Sequence, residues 1–319
     1  MKNSQHKITK ISFLLVEEFS MIAFASALEP LRAANRISKK KLFEWEILSI
    51  NTQKVFCSNG ISIDTQELNE EKLHTDILFV CGGINIKEKL NKKLLAALRR
   101  VSRNGISLGS LCTASYVLAK AGLLTNKKAT IHWENLSGVR EEFPDLVFTT
   151  NLYEIDKDRY SCSGGTSSLD LMLNIISGMH GNNLAKNISD HLIHERIRLP
   201  NDFQRMNLRS RLDVSHPKLL NAVSIMEENL EEPLSQKDLA SKSNISLRQL
   251  ERLFKKYISN TPNQYYLKLR LERAQNLLMQ TSMSILSVAL ASGFTSSSHF
   301  SKCYKVQFGI SPRETRFQD

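Results

Sequence analysis

The sequence predicts two folds in one chain: an α/β domain with a largely parallel sheet, followed by an all-α domain. Between residues 8 and 180, apolar runs of strand length alternate with helical patterns, as in parallel α/β proteins. From about Val214 onward the strand patterns stop and the segments have helical periodicity. A length of 319 residues also exceeds one typical domain.

Five apolar runs are the predicted strands of the first part. They are ITKISFLLV (8–16), FEWEILSI (43–50), DILFVCGG (76–83), ISLGS (106–110) and KATIHW (128–133). Helical patterns lie between and after them, at Ser20–Asn35, Lys87–Ser102 and 165–198. Pro200 and the basic stretch Arg205–Arg211 then indicate a linker.

Six helices are predicted in the second part. Their ranges are Asn221–Leu230, Gln236–Lys242, Leu247–Tyr257, Asn263–Met279, Ile285–Ala291 and Ser297–Gln307. Ser235 with Asp238, and Ser246 with Gln249, have the spacing of helix N-terminal capping boxes. The second part is therefore expected to be a helical domain.

Composition narrows the class of protein. Five scattered cysteines (57, 81, 112, 162 and 303) argue against a disulfide framework and favour the reducing cytoplasm. The apolar run at Ile11–Val16 is too short for a signal peptide or membrane span, so no membrane partner is expected. No cluster suggests a metal, and no cofactor is implied; His191 and His194 lack a third ligand. The net charge of +11 favours an anionic partner such as nucleic acid.

The helical part contains a duplicated unit. PLSQKDLASKSNISLRQLERLFKKYISNTP and MSILSVALASGFTSSSHFSKCYKVQFGISP each contain two capped helices around a turn, and Ser246 and Ser296 are 50 residues apart. Two helix-turn-helix motifs would each place a second helix in the major groove of double-stranded DNA. The candidate DNA-binding side chains are Arg248, Gln249, Glu251, Arg252, Lys255 and Lys256 in the first unit, and Ser297, Ser298, His299, Ser301, Lys302 and Lys305 in the second. A helical bundle with a solvated basic face is the alternative.

The end of the chain closely resembles the AraC/XylS transcription regulators. GFTSSSHFSKCYKVQFGISPRETR contains their Gly293-Phe294, Phe300-Ser301-Lys302, Gly309 and Ser311-Pro312 in the usual order, although Thr315 stands where an aromatic is common. The resemblance covers residues 215–317 and implies two recognition helices in successive major grooves.

A cysteine lies at a predicted strand–turn–helix junction in SLGSLCTASYVLA. This is where a nucleophile elbow would place Cys112, and His132 could be its proton-transfer partner. Ser110 and Ala114, however, occupy positions where such elbows carry glycine. Four uses of Cys112 remain open: a residue of an effector-binding pocket, the nucleophile of a hydrolase or amidase, a redox sensor, or a buried small apolar side chain.

The order of these motifs resembles the ThiJ/PfpI branch of the class I glutamine amidotransferase-like superfamily over residues 8–185. Cys81-Gly82-Gly83, Cys112 and His132 carry the resemblance. It implies a flavodoxin-like parallel sheet. Ala23 stands where many ThiJ/PfpI enzymes have a first-helix carboxylate, which argues against catalysis, although Glu17, Glu18 or Glu29 could substitute.

Together with the AraC-type end, this organisation resembles the GlxA-like regulators, and MIAFASALEPLRAANR resembles members that control breakdown of arginine, carnitine or glycine betaine. The expected domains are an effector-sensing domain (8–185), a helical linker (186–213) and a DNA-binding domain (214–319). We expect a non-enzymatic transcription regulator, an activator that dimerises through its α/β domain and works with RNA polymerase.

The expected effector is an amino acid or a quaternary amine. A cation of this kind needs aromatic faces and a carboxylate, and its own carboxylate needs hydrogen-bond donors. The candidate effector-binding residues are Phe19, Phe24, Cys112, Thr113, His132, Trp133 and Glu134. Core packing is the alternative for each aromatic.

Overall fold

A computed structural model describes residues 8–51 and 53–317, so residues 318 and 319 of the predicted DNA-binding domain lie outside the described residues. The chain divides into two compact units between Gln204 and Arg205. The division falls within the predicted linker, 186–213.

The first unit is built on a seven-stranded sheet. Its strands, with two short pairs beside it, are β1 (Thr9–Leu15), β2 (Phe43–Ser49), β3 (Lys54–Phe56), β4 (Ser62–Asp64), β5 (Gln66–Glu67), β6 (Ile77–Cys81), β7 (Ser107–Leu111), β8 (Lys128–Ala129), β9 (Val147–Phe148), β10 (Tyr153–Asp156) and β11 (Arg159–Cys162). The sheet order is β10-β11-β7-β6-β1-β2-β5, and all pairs except β10–β11 are parallel.

Helices cover both faces of this sheet. They are α1 (Met21–Ser38), α2 (Lys92–Arg103), α3 (Ser115–Lys120), α4 (Trp133–Glu142), α5 (Ser167–His180) and α6 (Asn182–His191). Successive side chains of a strand point to opposite faces, so Phe13 joins the core with α1, α5 and α6, while Leu14 joins the core with α2, α3 and α4. Two buried faces explain why β6 is apolar throughout and why β1 is apolar from Phe13 to Leu15.

Three local predictions differ from the structure. KATIHW forms only the two-residue β8, which pairs with β9 outside the main sheet. Helix α2 begins at Lys92 rather than Lys87, because the Asn91 side chain caps it by accepting from the Leu94 amide. The helical pattern at 165–198 becomes two helices separated at Gly181 (φ 89°), and it ends at His191.

The second unit is helical throughout its described part. Its helices are α7 (Leu208–Leu212), α8 (Pro217–Glu228), α9 (Gln236–Lys242), α10 (Leu247–Tyr257), α11 (Pro262–Gln280), α12 (Ile285–Ala291), α13 (Ser297–Phe308) and α14 (Pro312–Arg316). Three of these have the predicted bounds, and the other predicted helices shift by a few residues at one or both ends.

Two cores divide this second unit, and α11 contributes to both. Leu269 of α11 packs with α8, α9 and α10, whereas Leu277 packs with α12 and α13. The long helix therefore joins two helix-turn-helix motifs, and the predicted fold class, flavodoxin-like α/β plus all-α, is confirmed. Among the described helices, none combines the length and apolar character needed to cross a membrane.

Candidate effector pocket and nucleic-acid interface

The cysteine junction has the backbone shape of an elbow. Cys112 follows β7 directly, has a φ of 62° and begins a single 3-10 turn that leads into α3. The next side chain, Thr113, donates to the Gly83 carbonyl at 2.7 Å. The turn is thus tied to the loop after β6, at the carboxyl edge of the parallel sheet, where ligands of such sheets commonly bind.

The environment of Cys112 keeps its thiol protonated. Burial, reinforced by the neighbouring Cys162, raises the pKa of Cys112 to about 12. Burial also lowers the pKa of His132, against the opposing effect of Glu134. The nucleophilic form of cysteine is the thiolate, and this environment disfavours that form of Cys112.

The predicted partners of the cysteine are engaged elsewhere. His132 precedes the first residue of α4, and its Nδ1 lies 3.6 Å from Glu134 Oε2. Among the described residues, no hydrogen bond joins the His132 ring to the Cys112 thiol. The three glutamates that could substitute for a carboxylate at position 23 contact other groups: Glu17 the Phe56 amide, Glu18 Lys89 and Glu29 Arg32.

A small polar cavity lies above the cysteine. Its volume is about 210 Å³, and it is lined by His132, Trp133, Leu152, Ser163, Gly164, Gly165, Thr166, Ser167, Arg198 and Gln204. Gly164 separates it from Cys112: a Cβ at Gly164 would lie 2.7 Å from Cys112 Cβ. The absence of a side chain at Gly164 lets the loop before α5 close over the cysteine.

The cavity contains only two of the predicted effector-binding residues, His132 and Trp133. Phe19 and Phe24 pack edge to face in the core, with ring centroids 5.7 Å apart, and neither lines this cavity. Cys112 and Thr113 are buried and do not line the cavity, and Glu134 is exposed beside His132. Desolvation of the apolar rings decides their position, because burial of a phenylalanine side chain is worth about 1.5–3 kcal/mol.

Arg198 and Gln204 are lining residues that the sequence analysis missed. Both come from the irregular segment after α6, which the sequence pattern partly assigned to a helix. Gly164-Gly165-Thr166, at the start of a predicted helix, was the available signal for a polar site here. Arg198 is 32 residues from Thr166 in the sequence, so the two side chains meet only in the folded chain.

A buried carboxylate on α5 positions the segment that carries Arg198. Asp170 is wholly buried and bonds His194 Nε2 at 2.8 Å as well as Arg198. His194 therefore has a structural partner, and the described residues contain no group of three or more metal-ligating side chains. A larger groove of about 860 Å³ runs along α5 and α6 and is lined in part by His194.

The second unit presents two exposed polar helices. The Ser246 and Ser296 side chains cap α10 and α13 by accepting from the Gln249 and His299 amides. The predicted DNA-binding side chains that are exposed are Arg248, Glu251, Arg252, Lys255, Lys256, Ser298, His299, Lys302 and Lys305, while Gln249, Ser297 and Ser301 are half-buried. None of the arginines and lysines among them forms an ion pair with a described residue.

The opposite faces of these two helices are apolar. Leu250 and Phe254 of α10, and Phe300 and Tyr304 of α13, lie in the two cores. Each helix is thus fixed from behind while its N-terminal turn and charged face remain accessible, as a recognition helix requires. Fold and site together define a DNA-binding regulator with a pocket-bearing α/β domain.

Comparisons with known proteins give the family. The helix-turn-helix domain family matches residues 239–318, and the DJ-1/PfpI family matches residues 9–177. The HTH-type transcriptional regulator GbdR of Pseudomonas aeruginosa is 45% identical over 306 residues, 96% of this chain and 83% of the relative. ArgR of the same organism is 40% identical over 97% of this chain and 93% of its own length.

A solved structure agrees with these matches. The AraC family transcriptional regulator from Pseudomonas putida has a TM-score of 0.54 and 28% identity, covering 58% of this chain and 99% of its own. The chain therefore belongs to the transcriptional regulators that combine a DJ-1/PfpI domain with an AraC-type helix-turn-helix domain.

Proposed function

We propose that this regulator activates catabolic genes for a small amine and responds to an effector bound in its α/β unit. The supporting observation is the combination of a polar cavity with a cysteine that burial keeps protonated. The superfamily elbow is retained in shape, but its environment favours binding over nucleophilic attack.

The proposed effector is an amino acid or a quaternary amine, resembling arginine, carnitine or glycine betaine. His132 and Trp133 offer aromatic faces, with ring centroids 5.7 Å apart, to a cationic group at the cavity. The proposal rests on this cavity and on the resemblance of residues 21–36 to regulators of amine breakdown.

The proposed coupling runs through the segment that carries Arg198 and Gln204. Both residues line the cavity, and Gln204 directly precedes the second unit, which begins at Arg205. An effector that binds one conformation of this segment more tightly would shift the population of DNA-binding conformers. Double-stranded DNA, RNA polymerase and a second copy of the chain are the proposed partners, in the cytoplasm.

A gel shift tests the effector proposal. The full chain is bound to the DNA upstream of its own gene, with and without arginine, carnitine and glycine betaine. We expect one of them to change the apparent Kd by about fivefold or more, the usual range of allosteric coupling. The matched control is Trp133→Ala, which removes the aromatic face and is expected to abolish the response while leaving basal DNA binding intact.

The outcomes separate two parts of the proposal. DNA binding that none of the three compounds alters would contradict the proposed effector class. An effector response that Trp133→Ala leaves unchanged would contradict the proposed pocket.

A further inference from the structure

Arg198 is held in a fixed orientation at the wall of the cavity. Its backbone N–H donates to Asp170 Oδ1 at 2.7 Å and its Nε donates to Oδ2 at 2.8 Å. Its Nη2 lies 2.6 Å from the same Oδ2 and donates to Thr166 Oγ1 at 2.7 Å. A guanidinium anchored at one edge is already ordered, so it loses little side-chain entropy when it binds a ligand.

The other edge of this guanidinium remains available. Nη1 has no hydrogen-bond or ion-pair partner in the described part of the chain, and the Arg198 side chain is 27% exposed. Asp170 offsets the charge of Arg198 but occupies only its Nε and Nη2 side. The remaining N–H donors of Nη1 can therefore bind an acceptor.

The start of α5 adds donors on the same side of the cavity. The helix has 14 residues, and no side chain caps its N-terminus. The backbone N–H groups of Gly165 and Thr166 have no acceptor among residues 8–51 and 53–317. Free amides and the positive end of the helix dipole favour an anion at this position.

A second polar group in the cavity lacks a partner. Gln204 Oε1 is buried and accepts no hydrogen bond, although Gln204 Nε2 is fixed by bonds to Thr130 Oγ1 at 2.9 Å and the Asn151 carbonyl at 2.8 Å. Because the Asn151 carbonyl can only accept, the free atom of this amide is the oxygen. Buried acceptors without partners are rare in native proteins, so this atom points to a ligand or water that donates to it.

We propose that the cavity binds a small carboxylate, with its carboxylate group on Arg198 Nη1 and the amides of Gly165 and Thr166. Arginine and carnitine also carry an N–H or O–H group that would donate to Gln204 Oε1, whereas glycine betaine carries none. This inference rests on the proposed function, since it assigns the anionic group of the effector to a specific receptor. It places this group at Arg198 rather than at Thr113, whose hydroxyl already donates to the Gly83 carbonyl.

Acetate is the probe that tests the anion receptor. Trp133 lines the cavity, and Trp45 is the other of the two tryptophans, so Trp45→Phe leaves Trp133 as the reporter. Acetate is titrated into the full chain at constant ionic strength, and chloride is titrated in the same way as the control anion. We expect a saturable change in Trp133 fluorescence with acetate and none with chloride.

Three variants identify the receptor. Arg198→Gln should weaken acetate binding by about tenfold or more, because a charge-assisted hydrogen bond is lost. Arg198→Lys keeps the positive charge beside Asp170 and should cause an intermediate loss of acetate affinity. This variant tests the receptor if Arg198→Gln folds poorly. Arg196→Gln is the control, since Arg196 lies two residues away, pairs with Asp202 and does not line the cavity.

Acetate binding that is absent, or equal in the wild type and both Arg198 variants, would overturn the carboxylate receptor. A gel shift on the same proteins distinguishes the two proposals. A wild-type chain that binds acetate but does not bind the upstream DNA would count against the proposed function alone.

Discussion

At the scale of single residues, burial decides what Cys112 does. Its positive φ and its place after β7 match an elbow that presents a nucleophile, but burial and Cys162 raise the pKa of the thiol to about 12. Gly164 covers it from the cavity side. A protonated, covered thiol is suited to packing beneath Gly164 rather than to nucleophilic attack.

The rate of alkylation of Cys112 reports on the protonation and accessibility of its thiol. In a Cys303→Ser background, Cys112 should react with iodoacetamide very slowly at pH 7–8, and faster only as the pH rises toward about 12, because only the thiolate attacks. Cys303 is half-buried and should be the first cysteine modified in the unaltered chain. Rapid labelling of Cys112 at pH 7, located by peptide mass mapping, would revive the hydrolase and redox-sensor interpretations.

Substitution of Gly164 should disturb the packing between the cavity and Cys112. Gly164 has a φ of 87°, and a Cβ there would lie 2.7 Å from Cys112 Cβ. Gly164→Ala should therefore lower the free energy of unfolding by about 1–2 kcal/mol from the backbone alone, and by more from the clash.

Urea unfolding followed by tryptophan fluorescence reports on the first unit, because Trp45 and Trp133 both lie in it. The control is Gly178→Ala in α5, where a Cβ has no neighbour within 4 Å and alanine should stabilise by about 0.5–1 kcal/mol. Similar unfolding curves for the two variants would contradict the close packing of Gly164 on Cys112.

At the scale of elements, periodicity and caps predicted most of the helices and strands. The bounds Leu247–Tyr257 follow from the cap at Ser246 and an apolar face on Leu250 and Phe254, both of which are local in sequence. KATIHW failed because its strand character depends on pairing with the main sheet, which β8 does not do. Local patterns carry no information about such partners.

The candidate pocket was only partly predictable for the same reason. His132 and Trp133 lie in a recognisable motif, whereas Arg198 reaches the cavity through a buried bond to Asp170, 28 residues earlier. Phe19 and Phe24 were assigned to the pocket because aromatic side chains suit both a cation site and a core. Phe19 is 0% exposed and Phe24 is 3% exposed, so both rings lie in the core.

At the scale of the whole molecule, the proposed effector cavity lies in the first unit and the two helix-turn-helix motifs lie in the second. In the first unit, Gln204 Oε1 lies at the cavity without a hydrogen-bond partner among the described residues. In the second, the exposed arginines and lysines of α10 and α13 form no ion pair with a described residue. The net charge of +11 suits a partner that carries phosphates, and phosphate contacts make binding strongly dependent on salt. The central claim is that α10 and α13 both read DNA.

Hydroxyl-radical footprinting on the DNA upstream of its own gene tests this claim most directly. The full chain should protect two segments about 10 base pairs apart, one for each recognition helix. Arg252→Ala should remove protection of one segment and Lys302→Ala should weaken the other, while Arg100→Ala, in the first unit, should change neither. Protection that is absent, or that Arg252→Ala and Lys302→Ala leave unaltered, would contradict the account.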